Sequence, residues 1–170
     1  MNRIVYMVLR HLPIVPYWFW KIDHMGKRPD QYPEQERYDY LRNIIKTINQ
    51  NGRVTVRGYG EEQLPKENGF ILFPNHQGFF DMLAIIDTCP KPLGVIIKKE
   101  AANWILVKQV LRLLGGIPMD RSDIRAAMEV IKEMTRQVKE GKNYVIFPEG
   151  TRSRKGNELL EFKAGTLSLI

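Results

Sequence analysis

His76 and Asp81 are the residues whose types and spacing first suggest chemistry. They lie in PNHQGFFD, residues 74–81, between the apolar run NGFILF and the apolar MLAII, where a strand gives way to a helix. On one continuous helix two side chains five residues apart, as these are, would point about 140° away from each other. The histidine must therefore lie in the turn and curl back over the helical turn that carries Asp81. In that arrangement the carboxylate accepts a hydrogen bond from one ring nitrogen and fixes the tautomer. The other nitrogen is left to take a proton from a substrate hydroxyl. With no serine or thiol beside the pair, the nucleophile it activates belongs to the substrate. Plainer readings stand alongside: an aspartate in a first helical turn complements the helix dipole, and a histidine at a strand end packs as a structural residue.

A second chemical stretch is FPEGTRSR, residues 147–154. Pro148 and Gly150 fit positions i+1 and i+3 of a type I turn directly after the strand-like NYVIF. Turn chemistry does not require the four residues after Gly150. Thr151, Arg152, Ser153 and Arg154 offer hydroxyls, backbone N–H groups and two guanidinium forks, which together suit a phosphate cradle. Arg121, after the glycine-rich GGIPMD, adds a third fork. A solvated basic loop is the alternative for either arginine cluster.

The elements that must position these groups are set by hydrophobic periodicity. RVTVRG, residues 53–58, alternates as a strand, and NGFILF, residues 68–73, is a turn feeding a short buried strand. A helix starts near Phe79 and stops before Pro90. LGVIIKK, residues 93–99, is another buried strand, followed by one helix over EAANWILVKQVLRLLG that stops at Gly115 and Gly116. IPMDR is a short extended piece. SDIRAAMEVIKEMTRQVKEG then forms a helix with Ser122 as N-cap, an apolar stripe of Ile124, Met128, Ile131, Met134 and Val138, and Gly141 as its C-terminal stop. Strand and helix alternate, which predicts an α/β fold: a single layered domain with a mostly parallel central sheet flanked by helices. Ligand sites in such folds gather where strands end and helices begin.

At 170 residues, with 44% hydrophobic and 26% charged residues, the chain fits one globular domain and neither disorder nor a fibrous repeat. Cys89 is alone, and His11, His24 and His76 have no metal-ligand spacing, so neither a disulfide nor structural zinc is expected. A net charge of +7 points to an anionic partner: an anionic membrane, a phosphorylated substrate or, ranked below these for lack of any recognition signature, nucleic acid. MVLRHLPIVPYWFWKI, residues 7–22, mixes apolar bulk with Tyr17, Trp18 and Trp20 and with flanking Arg10 and Lys21. Pro13, Pro16, Arg10 and His11 interrupt it, and a spanning helix needs about 20 predominantly apolar residues. Lying in the plane of the lipid headgroups suits it better, with ordinary packing on the domain's own core as the alternative. It is not a convincing signal peptide, since Lys21, Asp23 and His24 stand where a cleavage site would be.

These residues together resemble the glycerolipid acyltransferase family, close to the 1-acyl-glycerol-3-phosphate acyltransferases. NHQGFFD is similar to the family's first block, GGIPMDR to its second and FPEGTRSR to its third, in the family's order. IIKKE around Lys98 and FKAG, residues 162–165, also resemble family features. The resemblance covers residues 53–165. It implies acyl transfer from acyl-CoA or acyl carrier protein to the free hydroxyl of a lysophospholipid, giving phosphatidic acid. His76 is then the general base and Asp81 its orienter, and Arg121, Glu149, Gly150, Thr151, Arg152 and Lys98 hold and position the acceptor. No metal or cofactor is implied beyond the donor itself. The expected partners are a membrane surface, the lysophospholipid and the acyl donor, and the expected location is the cytoplasmic face of the membrane, peripheral or monotopic.

This reading divides the chain into an N-terminal membrane-associating segment, residues 1–50, and a catalytic domain, residues 51–170. It also expects that domain to be incomplete at its C-terminus, because AGTLSLI breaks off within a helical pattern and the family's fourth block, near PVxPV, does not occur. Two competing functions remain: a hydrolase in which His76 and Asp81 activate water, with a Cys89 nucleophile as its thioesterase variant, and a lipid-binding or membrane-tethering module whose basic loops only grip headgroups.

Overall fold

Val95 and Ile96 are neighbours in sequence, and strand geometry sends their side chains to opposite faces of a sheet. Each finds a separate apolar layer. The computed structural model describes residues 10–78, 80–153 and 158–162. Residues 7–9 of the N-terminal segment, Phe79 as a helix start, Arg154, most of FKAG and the terminal AGTLSLI lie outside the described residues.

The strands are β1 (Ile71–Leu72), β2 (Gly94–Lys98), β3 (Ile117–Met119) and β4 (Tyr144–Val145). They form a four-stranded sheet in the order β1-β4-β2-β3, with every pairing parallel. The expected α/β architecture with a parallel sheet is observed. Among the described residues the helices around it are α1 (Val15–Gly26), α2 (Glu34–Asn51), α3 (Phe80–Thr88), α4 (Lys99–Ala102), α5 (Val107–Leu113) and α6 (Ile124–Lys139).

One face of the sheet presents Val95 and Val145 to Ile22 and Met25 of α1, Tyr38, Leu41, Ile44 and Ile45 of α2, Ile86 of α3, and Leu111 and Leu113 of α5. The other presents Ile96, Tyr144 and Ile146 to Met119 of β3 and to Ile131 and Met134 of α6. The spacing of Tyr38, Leu41, Ile45 and Ile48 along α2 lays one stripe on the core. Gly141, at φ +93°, ends α6 in the left-handed conformation that favours glycine. At Gly116 a Cβ would meet Leu111 Cδ1 at 2.5 Å and the Val95 carbonyl oxygen at 2.7 Å, so only glycine lets the chain pass from α5 into β3.

Four local expectations are corrected. Residues 53–58 form no strand, although they alternate: Val54 donates its N–H back to the Asn49 carbonyl at 2.9 Å, and Arg53 takes φ +53° as α2 ends. Alternation alone supplies no partner strand. The helix expected over residues 100–115 is two helices, because Leu106 adopts φ +73° and Trp104, Ile105 and Leu106 turn outward between α4 and α5. The N-cap of α6 is Asp123, which accepts from the N–H groups of Arg125 and Ala126, while Ser122 donates its hydroxyl to Asp120 at 2.6 Å. Along the α6 stripe Ile131 and Met134 are buried, but Ile124 is 76% exposed.

Helix α1 has one side packed on the core and one side exposed. Ile22 and Met25 are buried in the core, whereas Tyr17 and Trp20 are each 54% exposed. Among the described residues no helix is long and apolar enough to cross a membrane.

Candidate active site

Strands β1 and β4 lie side by side, with Ile71 opposite Tyr144 and Leu72 opposite Val145. Because the pair is parallel, the chain leaves both at the same edge of the sheet. The His76 turn thus emerges beside the turn at residues 147–150, although their sequence positions are about seventy apart.

His76 Nδ1 lies 2.8 Å from Asp81 Oδ2. The same carboxylate oxygen accepts the N–H groups of Gln77 at 2.7 Å and Gly78 at 2.9 Å. Burial pushes the Asp81 carboxyl up, but the hydrogen bonds from Gly78, His76 and Gln77 outweigh it and hold its pKa below the ordinary value. An ionised carboxylate only accepts, so Nδ1 carries a proton, and in the neutral imidazole the lone pair is then on Nε2. The Asp81 side chain therefore holds the backbone of the turn that leads into α3 and orients the imidazole at once. The His76 side chain is 23% exposed, which leaves the ring open to a substrate. Phe147, the first residue of the second turn, packs its ring against the imidazole at 4.2 Å between centroids.

Helix α3 is itself held in place from α2. The Arg42 guanidinium donates to the carbonyls of Ile86 and Asp87, both at 3.1 Å, and Thr88 at 3.2 Å. These are the orphan acceptors of the last turn, and a cation there also complements the helix dipole.

The second turn closes as expected, with Gly150 donating its N–H to the Phe147 carbonyl at 3.1 Å. Arg121, from the loop after β3, donates to the Gly150 carbonyl, so the GGIPMDR and FPEGTRSR loops meet at one main-chain oxygen. Thr151 and Arg152 are exposed on the same turn. Ser153 is buried, and its hydroxyl donates to the Glu158 carbonyl at 2.9 Å, which removes it from the expected phosphate cradle. Lys98 ends β2 on the same edge of the sheet, and its ammonium pairs with Glu100 at 3.0 Å.

Glu149 departs furthest from expectation. It is 1% exposed, and its two carboxylate oxygens accept the N–H of His76 at 2.7 Å and of Leu160 at 3.2 Å. The N–H of Ser153 in turn donates to the His76 carbonyl at 2.6 Å. Both main-chain polar groups of His76 are thus joined to the 149–153 segment. No pattern of residue types signalled this clasp or the ring contact of Phe147, because both depend on strands distant in sequence becoming neighbours.

Cys89 is buried, and burial raises its thiol pKa. Its Sγ donates to the Lys91 carbonyl at 3.6 Å, a setting that does not make a nucleophile.

Residues 53–170 match the family described as Acyltransferase. The chain is 33% identical over 110 residues to a 1-acyl-sn-glycerol-3-phosphate acyltransferase of Borreliella burgdorferi, covering 65% of this chain and 44% of that protein. It is 41% identical over 96 residues to a protein of that name from Cocos nucifera, covering 56% and 31% respectively. It thus spans less than half the length of these two relatives. The crystal structure of the 1-acyl-sn-glycerophosphate (LPA) acyltransferase PlsC from Thermotoga maritima is similar with a TM-score of 0.71 at 26% identity, covering 99% of this chain and 70% of that one.

Proposed function

Because this chain belongs to the acyltransferase family, we propose that it moves an acyl chain from acyl-CoA or acyl carrier protein to the free hydroxyl of 1-acyl-glycerol-3-phosphate, forming phosphatidic acid for phospholipid synthesis. One observation carries the reading: an imidazole oriented by an ionised carboxylate at 2.8 Å opens beside a turn that exposes Thr151 and Arg152 and is braced by Arg121. A weakly acidic secondary alcohol needs its proton removed as it attacks. His76 Nε2 accepts that proton while the alkoxide oxygen bonds to the thioester carbonyl carbon. The tetrahedral oxyanion then collapses, the C–S bond breaks, and the imidazolium returns the proton to the departing thiolate.

A positioned base of this kind contributes roughly 10² to 10⁴ in rate. Alignment of acceptor and donor supplies more. Arg121, Gly150, Thr151, Arg152 and Lys98 hold the acceptor's glycerol phosphate, with the guanidinium forks matched to phosphate oxygens. On this reading Asp81 stays ionised through the cycle and stabilises the imidazolium.

The exposed side of α1 supports attachment to the membrane surface. Tyr17 and Trp20 lie 5.9 Å apart between ring centroids and Trp20 and His24 5.1 Å, forming an aromatic stripe opposite the buried Ile22 and Met25. Such a helix lies at the lipid interface, and the net charge of +7 adds attraction to an anionic leaflet. The cytoplasmic leaflet is the proposed location.

The test is an assay with labelled acyl-CoA and lysophosphatidic acid. Label appearing in phosphatidic acid only when both are present is the expected result. Free fatty acid released regardless of acceptor would instead establish a hydrolase, and lipid binding without turnover would establish a headgroup-binding module.

A further inference from the structure

We infer that Glu149 is a positioning residue that acts on the reaction through the main chain of His76, without touching the acceptor. The inference rests on the acyltransferase reading above. An acidic residue beside Arg152 and Thr151 invites assignment to the acceptor's hydroxyls, yet the carboxylate is turned inward and 1% exposed. Its Oε1 takes the His76 N–H at 2.7 Å and its Oε2 the Leu160 N–H at 3.2 Å. Buried backbone donors require partners, and those to a carboxylate are among the strongest.

The consequence for chemistry lies in how the imidazole is fixed. Asp81 sets its rotation and tautomer from the ring side. Glu149 and the Ser153 N–H set the position of the residue itself, gripping its N–H and carbonyl. Because Arg121 donates to the carbonyl of the next residue, Gly150, the groups proposed to hold phosphate and the proposed base are registered to one another through two consecutive residues. Leu160 extends the same tie to the segment beyond the turn.

The experiment measures Glu149→Ala, Glu149→Gln and, as the comparison for a phosphate contact, Arg152→Ala. Steady-state transfer from acyl-CoA to lysophosphatidic acid gives kcat and acceptor KM, and NMR hydrogen exchange reads the His76 amide directly. Displacing a reacting group by about 1 Å costs on the order of 100-fold, so Glu149→Ala is expected to lower kcat by roughly that factor with acceptor KM nearly unchanged and with faster exchange at His76. Glu149→Gln retains one acceptor oxygen and is expected to restore part of kcat. An acceptor KM raised as in Arg152→Ala with kcat retained, or a His76 amide as protected in Glu149→Ala as in the wild type, would overturn the inference. If Glu149→Ala does not fold, Glu149→Gln decides alone, since its kcat must fall while acceptor KM holds. Should the wild type transfer no acyl chain, the acyltransferase reading fails by itself, and unchanged His76 exchange in the Glu149 variants still rejects the clasp.

Discussion

Asp81 Oδ2 stands 2.8 Å from His76 Nδ1 and accepts two backbone N–H groups of the same turn. One oxygen atom thereby holds the turn that leads into α3 and orients a base. Asp81→Asn places an amide where an anion stood, so Nδ1–H and both N–H groups lose a charged acceptor. We expect kcat to fall by about 10² to 10⁴ with the fold retained, read as phosphatidic acid formed per enzyme together with circular dichroism.

The same carboxyl makes stability depend on pH. Its folded-state pKa lies below the ordinary 3.8. The unfolded chain therefore binds the proton more readily, so the stabilisation is complete above 3.8 and is lost as pH falls through the lower folded value. Urea midpoints of the wild type and Asp81→Asn are expected to differ at neutral pH and to draw together as the pH falls below 3.8. A gap that persists in acid contradicts this assignment.

Arg152 is exposed on the turn beside the proposed base. A charge-assisted hydrogen bond contributes about 1.5–3 kcal/mol, so Arg152→Ala should raise acceptor KM by roughly 10- to 100-fold with a smaller change in kcat. Arg121→Ala should affect both parameters, since Arg121 also donates to the Gly150 carbonyl.

Surface attachment is expected to depend on the outward side of α1. Tyr17 and Trp20 are each 54% exposed, so replacing both with Ala removes interfacial aromatic area while Ile22 and Met25 stay packed. Co-sedimentation with anionic vesicles should weaken by on the order of tenfold and decline further with added salt. An unchanged partition would remove α1 from the membrane contact.

Capping separates two adjacent residues. Asp123→Ala deletes the acceptor for the Arg125 and Ala126 N–H groups and is expected to cost about 1 kcal/mol in urea unfolding. Ser122→Ala, which removes an exposed hydroxyl bond to Asp120, should stay within about 0.5 kcal/mol.

The alternation of strand and helix was legible because buried parallel strands such as LGVIIKK read as continuous apolar runs. His76 and Asp81 were legible because both belong to one local turn. The failures have a common cause. RVTVRG has the right period but pairs with no strand among the described residues, and Leu106 takes a positive φ inside a stretch that reads as one helix. The inward turn of Glu149 was not legible, because its partners, His76 and Leu160, come from other segments. Residue type and local spacing contain no information on which way a side chain turns once β1 and β4 become neighbours.

That neighbourhood also orders events in time. Strand β4 is the last of the four along the chain, yet it is inserted between β1 and β2. A nascent chain that has released β1, β2 and β3 still lacks the strand that joins them, and so lacks the turn that grips His76. Closing such a long loop makes folding slow, but it also means that the histidine is left unregistered in any partly assembled chain. The proposed base would then be held in register only once β4 has joined the sheet.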